Sequence, residues 1–203
     1  MVERMKPDKD QCAEALYQSL KGDAFYRTLE AHVAGGRDPR AAMLAYYKLS
    51  MQDGIKWGRA TFPEDGDYGA SVWSLPLSED ASAQRTSEKQ AALKAALGPE
   101  ATGVFNQIES EMAPHENMLN LHDNWYLSIL GLHPSQQGKG LGAVLLRPVL
   151  DEADKAGVAS YLTTFSQGNI KFYEKVGFEV MGQFPVPATG SDFSVLVRPP
   201  RPV

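Results

Sequence analysis

Two short segments of this chain hold residue types at spacings that suit chemistry. The first is Gln136-Gln137-Gly138-Lys139-Gly140-Leu141-Gly142, a glycine-rich turn between an apolar run and a helical pattern. Backbone N–H groups at a helix start lack intrahelical partners and carry the positive end of the helix dipole, and glycine lets the chain approach an anion closely. Such a turn suits a phosphate or pyrophosphate, with Lys139 as an added charge. The second segment is Asn169-Ile170-Lys171-Phe172-Tyr173-Glu174-Lys175-Val176-Gly177-Phe178. At about 100° per residue, Lys171, Glu174 and Lys175 share one helix face and Asn169, Phe172, Tyr173 and Val176 the other, so Tyr173 points inward. Asn169 is a good N-cap there, and Gly177 a good stop. An unperturbed tyrosine stays protonated at neutral pH.

Each segment also has a plain structural reading, a tight strand-to-helix turn and a core tyrosine in a capped helix. Rival phosphate loops fail on spacing. A Walker-type loop needs its lysine after the second glycine and a hydroxyl next to it, whereas Lys139 lies between glycines and no hydroxyl follows. A dinucleotide fingerprint belongs to an early strand, and this turn lies about two-thirds along the chain.

The elements around these segments read as α/β with a mixed sheet. Apolar spacing over residues 8 to 32 predicts a helix broken near Gly22, and Asp38-Pro39 opens a second helix carrying Met43, Leu44, Tyr46, Tyr47 and Leu49. Ile55 to Phe62 and Tyr68 to Leu75 read as antiparallel strands joined by the turn at 63 to 67. Residues 85 to 113 return to helix, split at Gly98-Pro99. Trp125 to Leu132 is almost wholly apolar, as in a strand covered on both faces. The helix after Gly142 carries Val144, Leu145, Val149 and Ala153 and ends at Gly157. Strands are expected over Ala159 to Phe165, Phe178 to Phe184 and Phe193 to Arg198.

Composition excludes some classes. With 203 residues, 43% hydrophobic and 22% charged, one folded domain over 1–203 is the simplest reading. A net charge of −5 with scattered basic residues gives no footprint for nucleic acid. The N-terminus lacks the apolar core of a signal peptide, no run is long enough to span a membrane, and Cys12 alone forms no internal disulfide. The expected setting is cytoplasmic, with no membrane partner and no metal. The helix-rich N-terminal half has room for a homodimer surface, but nothing specifies one.

Taken together, Gln137-x-x-Gly140-x-Gly142 and the Tyr173 helix resemble the acetyl-CoA signature of the GNAT N-acetyltransferase superfamily. From Trp125 to about Val186 the pattern is most similar to puromycin N-acetyltransferase and its relatives. The shared features are Gln137 to Gly142, Ala156-Gly157-Val158, Phe172 to Phe178 and Pro148 inside a helix. The resemblance implies a GNAT fold, a mostly antiparallel twisted sheet with a splayed parallel strand pair, in which 125–198 bind acetyl-CoA and 1–124 build the acceptor side. It implies transfer of an acetyl group from acetyl-CoA, a co-substrate, to the primary amine of a small molecule. A peptide N-acetyltransferase and a non-catalytic acyl-CoA-binding regulator are the alternatives. The implied cofactor contacts are the backbone near Leu130 and Leu132, with Gly131 at a bulge, and Gln137, Gly138, Lys139, Gly140, Leu141, Gly142, Asn169 and Tyr173. Tyr173 is the implied catalytic acid. Relatives carry a Glu or His base where this chain has Tyr126 and Ser128, so His115, His122 and Asp123, just upstream, are the candidates for a base. Phe25, Tyr26, Tyr46 and Tyr47 are candidate walls for an apolar acceptor pocket.

Overall fold

The computed structural model describes residues 7–202. Helices α1 (Lys9–Leu20), α2 (Ala24–Ala31) and α3 (Pro39–Trp57) come first, followed by strands β1 (Gly58–Thr61) and β2 (Gly69–Ser74). Next are α4 (Glu79–Leu97), α5 (Pro99–Met118), β3 (Trp125–Leu132), α6 (Leu141–Ala156), β4 (Ser160–Thr164), α7 (Ile170–Lys175), β5 (Glu179–Val186) and β6 (Ser191–Arg198). Local chemistry sets these boundaries. Asp8, Asp23, Asp38 and Ser78 each accept a backbone N–H at a helix start. Gly157 closes α6 in the left-handed region at φ 67°.

Among the described residues six strands form one sheet in the order β1-β2-β3-β4-β6-β5, in which only β3 and β4 run parallel. This is the expected α/β arrangement, a mixed and mostly antiparallel sheet. Its two faces bury different partners. Val72, Ile129 and Val195 pack with the N-terminal helices and α5, while Trp73, Leu127 and Leu196 pack with α6 and α7. Arg198, 3% exposed, is held at 2.7 Å by Asp154 and fastens β6 to the end of α6.

Several boundaries differ from expectation. The expected strand from Ile55 is helix as far as Trp57, with Ile55 52% exposed on the last turn. Pairing starts only at Gly58, opposite Ser74, where a Cβ would lie 2.0 Å from the Trp73 carbonyl. A β-branched residue favours a strand, but only glycine allows that approach. The helices expected over 85 to 113 run from 79 to 118, with Pro114 inside α5. Val144 was expected to face inward but is 61% exposed, one position before the buried Leu145 and Leu146. Pro148 is exposed too. The Val144 carbonyl that it deprives of a partner therefore belongs to the solvent side of α6, where water can replace the bond.

Candidate active site

The site begins where two parallel strands part. β3 and β4 pair at Trp125↔Ser160, Tyr126↔Tyr161 and Leu127↔Leu162 and no further, while β3 stays paired to β2 as far as Leu132. At the start of β3, Trp125 N–H donates to the Ala159 carbonyl, so odd-numbered residues face β4. Just past its end, His133 N–H donates to the Tyr68 carbonyl at 2.8 Å, so odd-numbered residues there face β2. A register shift opposite Val72 and Trp73 causes the exchange. It also explains why Leu127 and Ile129, two residues apart, join opposite cores. By alternation, the polar backbone groups of Leu130 and Leu132 turn toward the gap that β4 leaves; the Leu132 carbonyl is already bonded by Gln137, and the rest of this edge suits an extended ligand. The bulge lies at Ser128, not at Gly131 as expected. Gly131 is instead needed for packing, since a Cβ would meet Leu16 Cδ2 at 2.8 Å.

The glycine loop closes one end of this gap. Gly138 and Gly140 adopt φ 77° and 78°, and no side chain caps α6, so its first amides stay available. Gln137 is partly structural. Its Nε2 donates to the Leu132 carbonyl at 3.0 Å and its own N–H to the Pro134 carbonyl at 3.3 Å. Lys139 is exposed and reaches Gln136 Oε1 at 2.8 Å. At Gly142 a Cβ would lie 3.0 Å from Phe172 Cζ, so the α7 ring packs directly over the first turn of α6. A cleft of about 930 Å³ runs over this surface, lined by Leu130, Leu132, Gln137, Gly138, Gly140 and Leu141, among others.

Tyr173 marks the inner end of the cleft. It is 8% exposed on α7, whose Lys171, Glu174 and Lys175 face solvent as expected. Gly177 follows at φ 99°. Asn169 does not cap this helix. It sits in αR geometry at the end of a 3-10 turn (Gln167–Asn169), with no side-chain bond to the helix. A second cavity, of about 320 Å³, adjoins the first, and Tyr173, Asn169, Asp23 and Leu130 line both. Burial, and secondarily the Asp23 charge, pushes the Tyr173 phenol upward, so it holds its proton at neutral pH.

The second cavity has aromatic walls and acidic groups. Phe25, Tyr26 and Tyr46 line it as expected, whereas Tyr47 is sealed in the core with no partner for its hydroxyl. Tyr126 stacks on Tyr161 at 4.7 Å and shares a hydrogen bond with Thr163. Neither His115, His122 nor Asp123 lines either cavity. His115 stacks on Phe184 at 4.2 Å, and His122 and Asp123 pair with each other in an exposed loop.

The acids present are Asp23, Asp53, Glu109 and Glu116. Arg85 bonds both oxygens of Asp53. The carboxyls of Asp23 and Glu109 are raised by the surrounding protein, and that of Glu116 is raised to about 7, first by burial and then by the Glu109 charge. The Glu109 side chain is solvent-accessible, so the upward push on its carboxyl is weaker than that on the half-buried Glu116, and the Lys89 ammonium opposes it. Sequence reasoning missed this pair. The available signal was two acids, seven residues apart, on the helix face that carries Phe105 and Met112.

Residues 106–178, which span α5 to α7 and hence the loop and Tyr173, match the model of the acetyltransferase (GNAT) family. The matched segment, 73 of the 203 residues, is similar to the GNAT family. Similar solved structures extend the GNAT fold over nearly the whole chain. One, from Corynebacterium glutamicum and described as histone acetyltransferase HPA2 and related acetyltransferase, has a TM-score of 0.64 at 18% identity and covers 96% of this chain and 92% of its own. Arylalkylamine N-acetyltransferase 2 from Aedes aegypti gives 0.62 at 13% identity, covering 95% and 94%. Over 83 residues the chain is 30% identical to a probable serine/threonine-protein kinase of Dictyostelium discoideum, which is 40% of this chain and 11% of that protein. The chain thus spans about a tenth of the length of that curated relative. Among the described residues there is no cluster of metal-ligating side chains, and no helix is long and apolar enough to cross a membrane.

Proposed function

We propose that this chain is an acetyl-CoA-dependent N-acetyltransferase whose acceptor is a small primary amine. The observation that carries this reading is the position of Tyr173, a buried proton donor lining both the cleft over the glycine loop and the acidic, aromatic cavity beside it. The cleft fits the co-substrate. Unpaired amides at 138 to 142, with Lys139 outside them, receive the pyrophosphate, and the open edge at Leu130 and Leu132 pairs with the extended pantetheine arm. Asn169 borders the same channel.

The neutral amine nitrogen attacks the thioester carbonyl carbon, the C–S bond breaks, and Tyr173 gives its proton to the departing thiolate. The proton lost from the ammonium passes to a cavity carboxylate or water, and the products are the N-acetyl amine and CoA. An amide N–H of the open strand edge stabilises the oxygen where charge develops.

Two observations favour a small acceptor over a peptide. Arg85, Lys89, Phe105 and Glu109 from α4 and α5 wall the cavity, and its 320 Å³ suits a small ligand. The unpaired Cys12 fits a reducing, cytoplasmic setting. The test is thiol release from acetyl-CoA with alkyl amines, aryl amines, amino acids and a histone-tail peptide in parallel. Efficient turnover of the peptide alone would replace the small-molecule reading. Tight acetyl-CoA binding without any turnover would leave a regulator.

A further inference from the structure

We propose that the acceptor is a dication, a primary amine with a second positive group, whose reacting nitrogen lies near Asp23 while Glu109 and Glu116 receive the distal charge. This rests on the acetyltransferase reading for the direction of the ligand, since Asp23 borders the channel at Tyr173 whereas Glu109 and Glu116 line only the acceptor cavity. Seven residues bring a helix nearly back to the same face and advance it about 10 Å, so the two α5 carboxylates form a column along one wall. Met112 lies between them and also lines the cavity.

The charge around the cavity is incomplete without a cation. Arg85 is matched by Asp53 and Arg27 acts on Asp23 from the cleft side, which leaves Lys89 as the basic cavity-lining side chain toward Glu109 and Glu116. The Lys89 ammonium itself lies over the Phe105 ring, 5.3 Å from its centre. The aromatic walls suit both a positive charge and an apolar spacer between two of them.

A second observation also points to a ligand. Tyr26 is 8% exposed and its hydroxyl has no hydrogen bond among the described residues, yet it is not among the side-chain atoms sealed from solvent without a partner. Its open tip can only meet the cavity, which it lines. Because the cavity holds more acid than base, a monoamine would neutralise its junction end and leave the α5 pair facing a hydrocarbon tail. A diamine satisfies both ends.

The test compares 1,4-diaminobutane and 1,5-diaminopentane with butylamine and pentylamine, using thiol release by wild-type protein and by Glu109→Gln, Glu116→Gln and the double variant. The expected kcat/KM for each diamine exceeds that of its monoamine by at least about tenfold, the size of one charge-assisted hydrogen bond, and the ratio falls toward one in the double variant. Equal use of diamine and monoamine by the wild type overturns the proposal, as does an undiminished ratio in the double variant. If no amine is acetylated, the enzymatic reading fails on its own, and calorimetric titration of 1,4-diaminobutane into the CoA-loaded protein still decides this one. Binding weakened about tenfold by the double substitution upholds the dication site, and absent or unweakened binding overturns it. Single variants that unfold at a temperature no lower than the wild type separate loss of charge from loss of fold.

Discussion

Gln137 Nε2 donates to the Leu132 carbonyl at 3.0 Å, which ties the glycine loop to the open end of β3. The two surfaces proposed for the pyrophosphate and for the extended arm are thereby held at a fixed offset. Gln137→Ala removes about 1 kcal/mol of hydrogen bonding and lets the loop drift, so the prediction is an increase of about fivefold in KM for acetyl-CoA with kcat nearly unchanged. An unaltered KM would mean that the loop holds its place without this bond.

Tyr173→Phe keeps the ring against Phe172 and Phe178 and deletes only the proton donor. Loss of a general acid costs about a hundredfold or more in rate. The expected outcome is therefore a kcat lower by about that factor, with acetyl-CoA affinity measured by calorimetry changed less than about threefold. Unchanged turnover would remove Tyr173 from the chemistry.

Gly131 reports on packing and not on the bulge once assigned to it. An alanine there would set its Cβ 2.8 Å from Leu16 Cδ2 and 3.3 Å from Ser19, and Leu16 is fully buried with little room to move. Gly131→Ala should cost about 1–3 kcal/mol, read as a lower midpoint of urea unfolding. A midpoint within error of the wild type would contradict the argument.

The segment from β3 to α7 was legible in the sequence because its signals are local. The loop glycines sit at positive φ, Gly157 and Gly177 end their helices, and the apolar β3 is a central strand, so each residue type answers a nearby backbone demand. The bulge at Ser128 was not legible, because nothing in the β3 sequence shows where its register against β2 slips. Ile55 to Trp57 misled because strand propensity is outweighed by the helix that precedes them and by the glycine that follows. The acids of the cavity come from α2, α3 and α5, and only the tertiary fold gathers them. On a sequence reading, Glu109 and Glu116 are solvated helix residues, and Asp23 is simply the cap that it also is.

The last prediction concerns pH. Glu116 is raised from 4.5 to about 7 by burial and then by the Glu109 charge, and Glu109 and Asp23 are raised as well, with Lys89 opposing at Glu109, Arg27 opposing at Asp23, and Tyr126 and Tyr161 close to both glutamates. A carboxyl raised in the folded state binds its proton more tightly there than in the unfolded chain. The free protein therefore loses stability as pH rises from the unfolded value through about 7, and does not regain it above. A bound cation favours the charged carboxylates and reverses that cost, so affinity for a diamine should rise over the same range. The unfolding temperature of the free protein should fall between about pH 5 and about pH 8, and Glu116→Gln should flatten that fall. Saturating diamine should raise the unfolding temperature most at the alkaline end. Calorimetry in two buffers of different ionisation enthalpy should show protons released on diamine binding near neutral pH. A diamine that binds without proton release, to a protein whose stability is flat across this range, would place the cation away from Glu116.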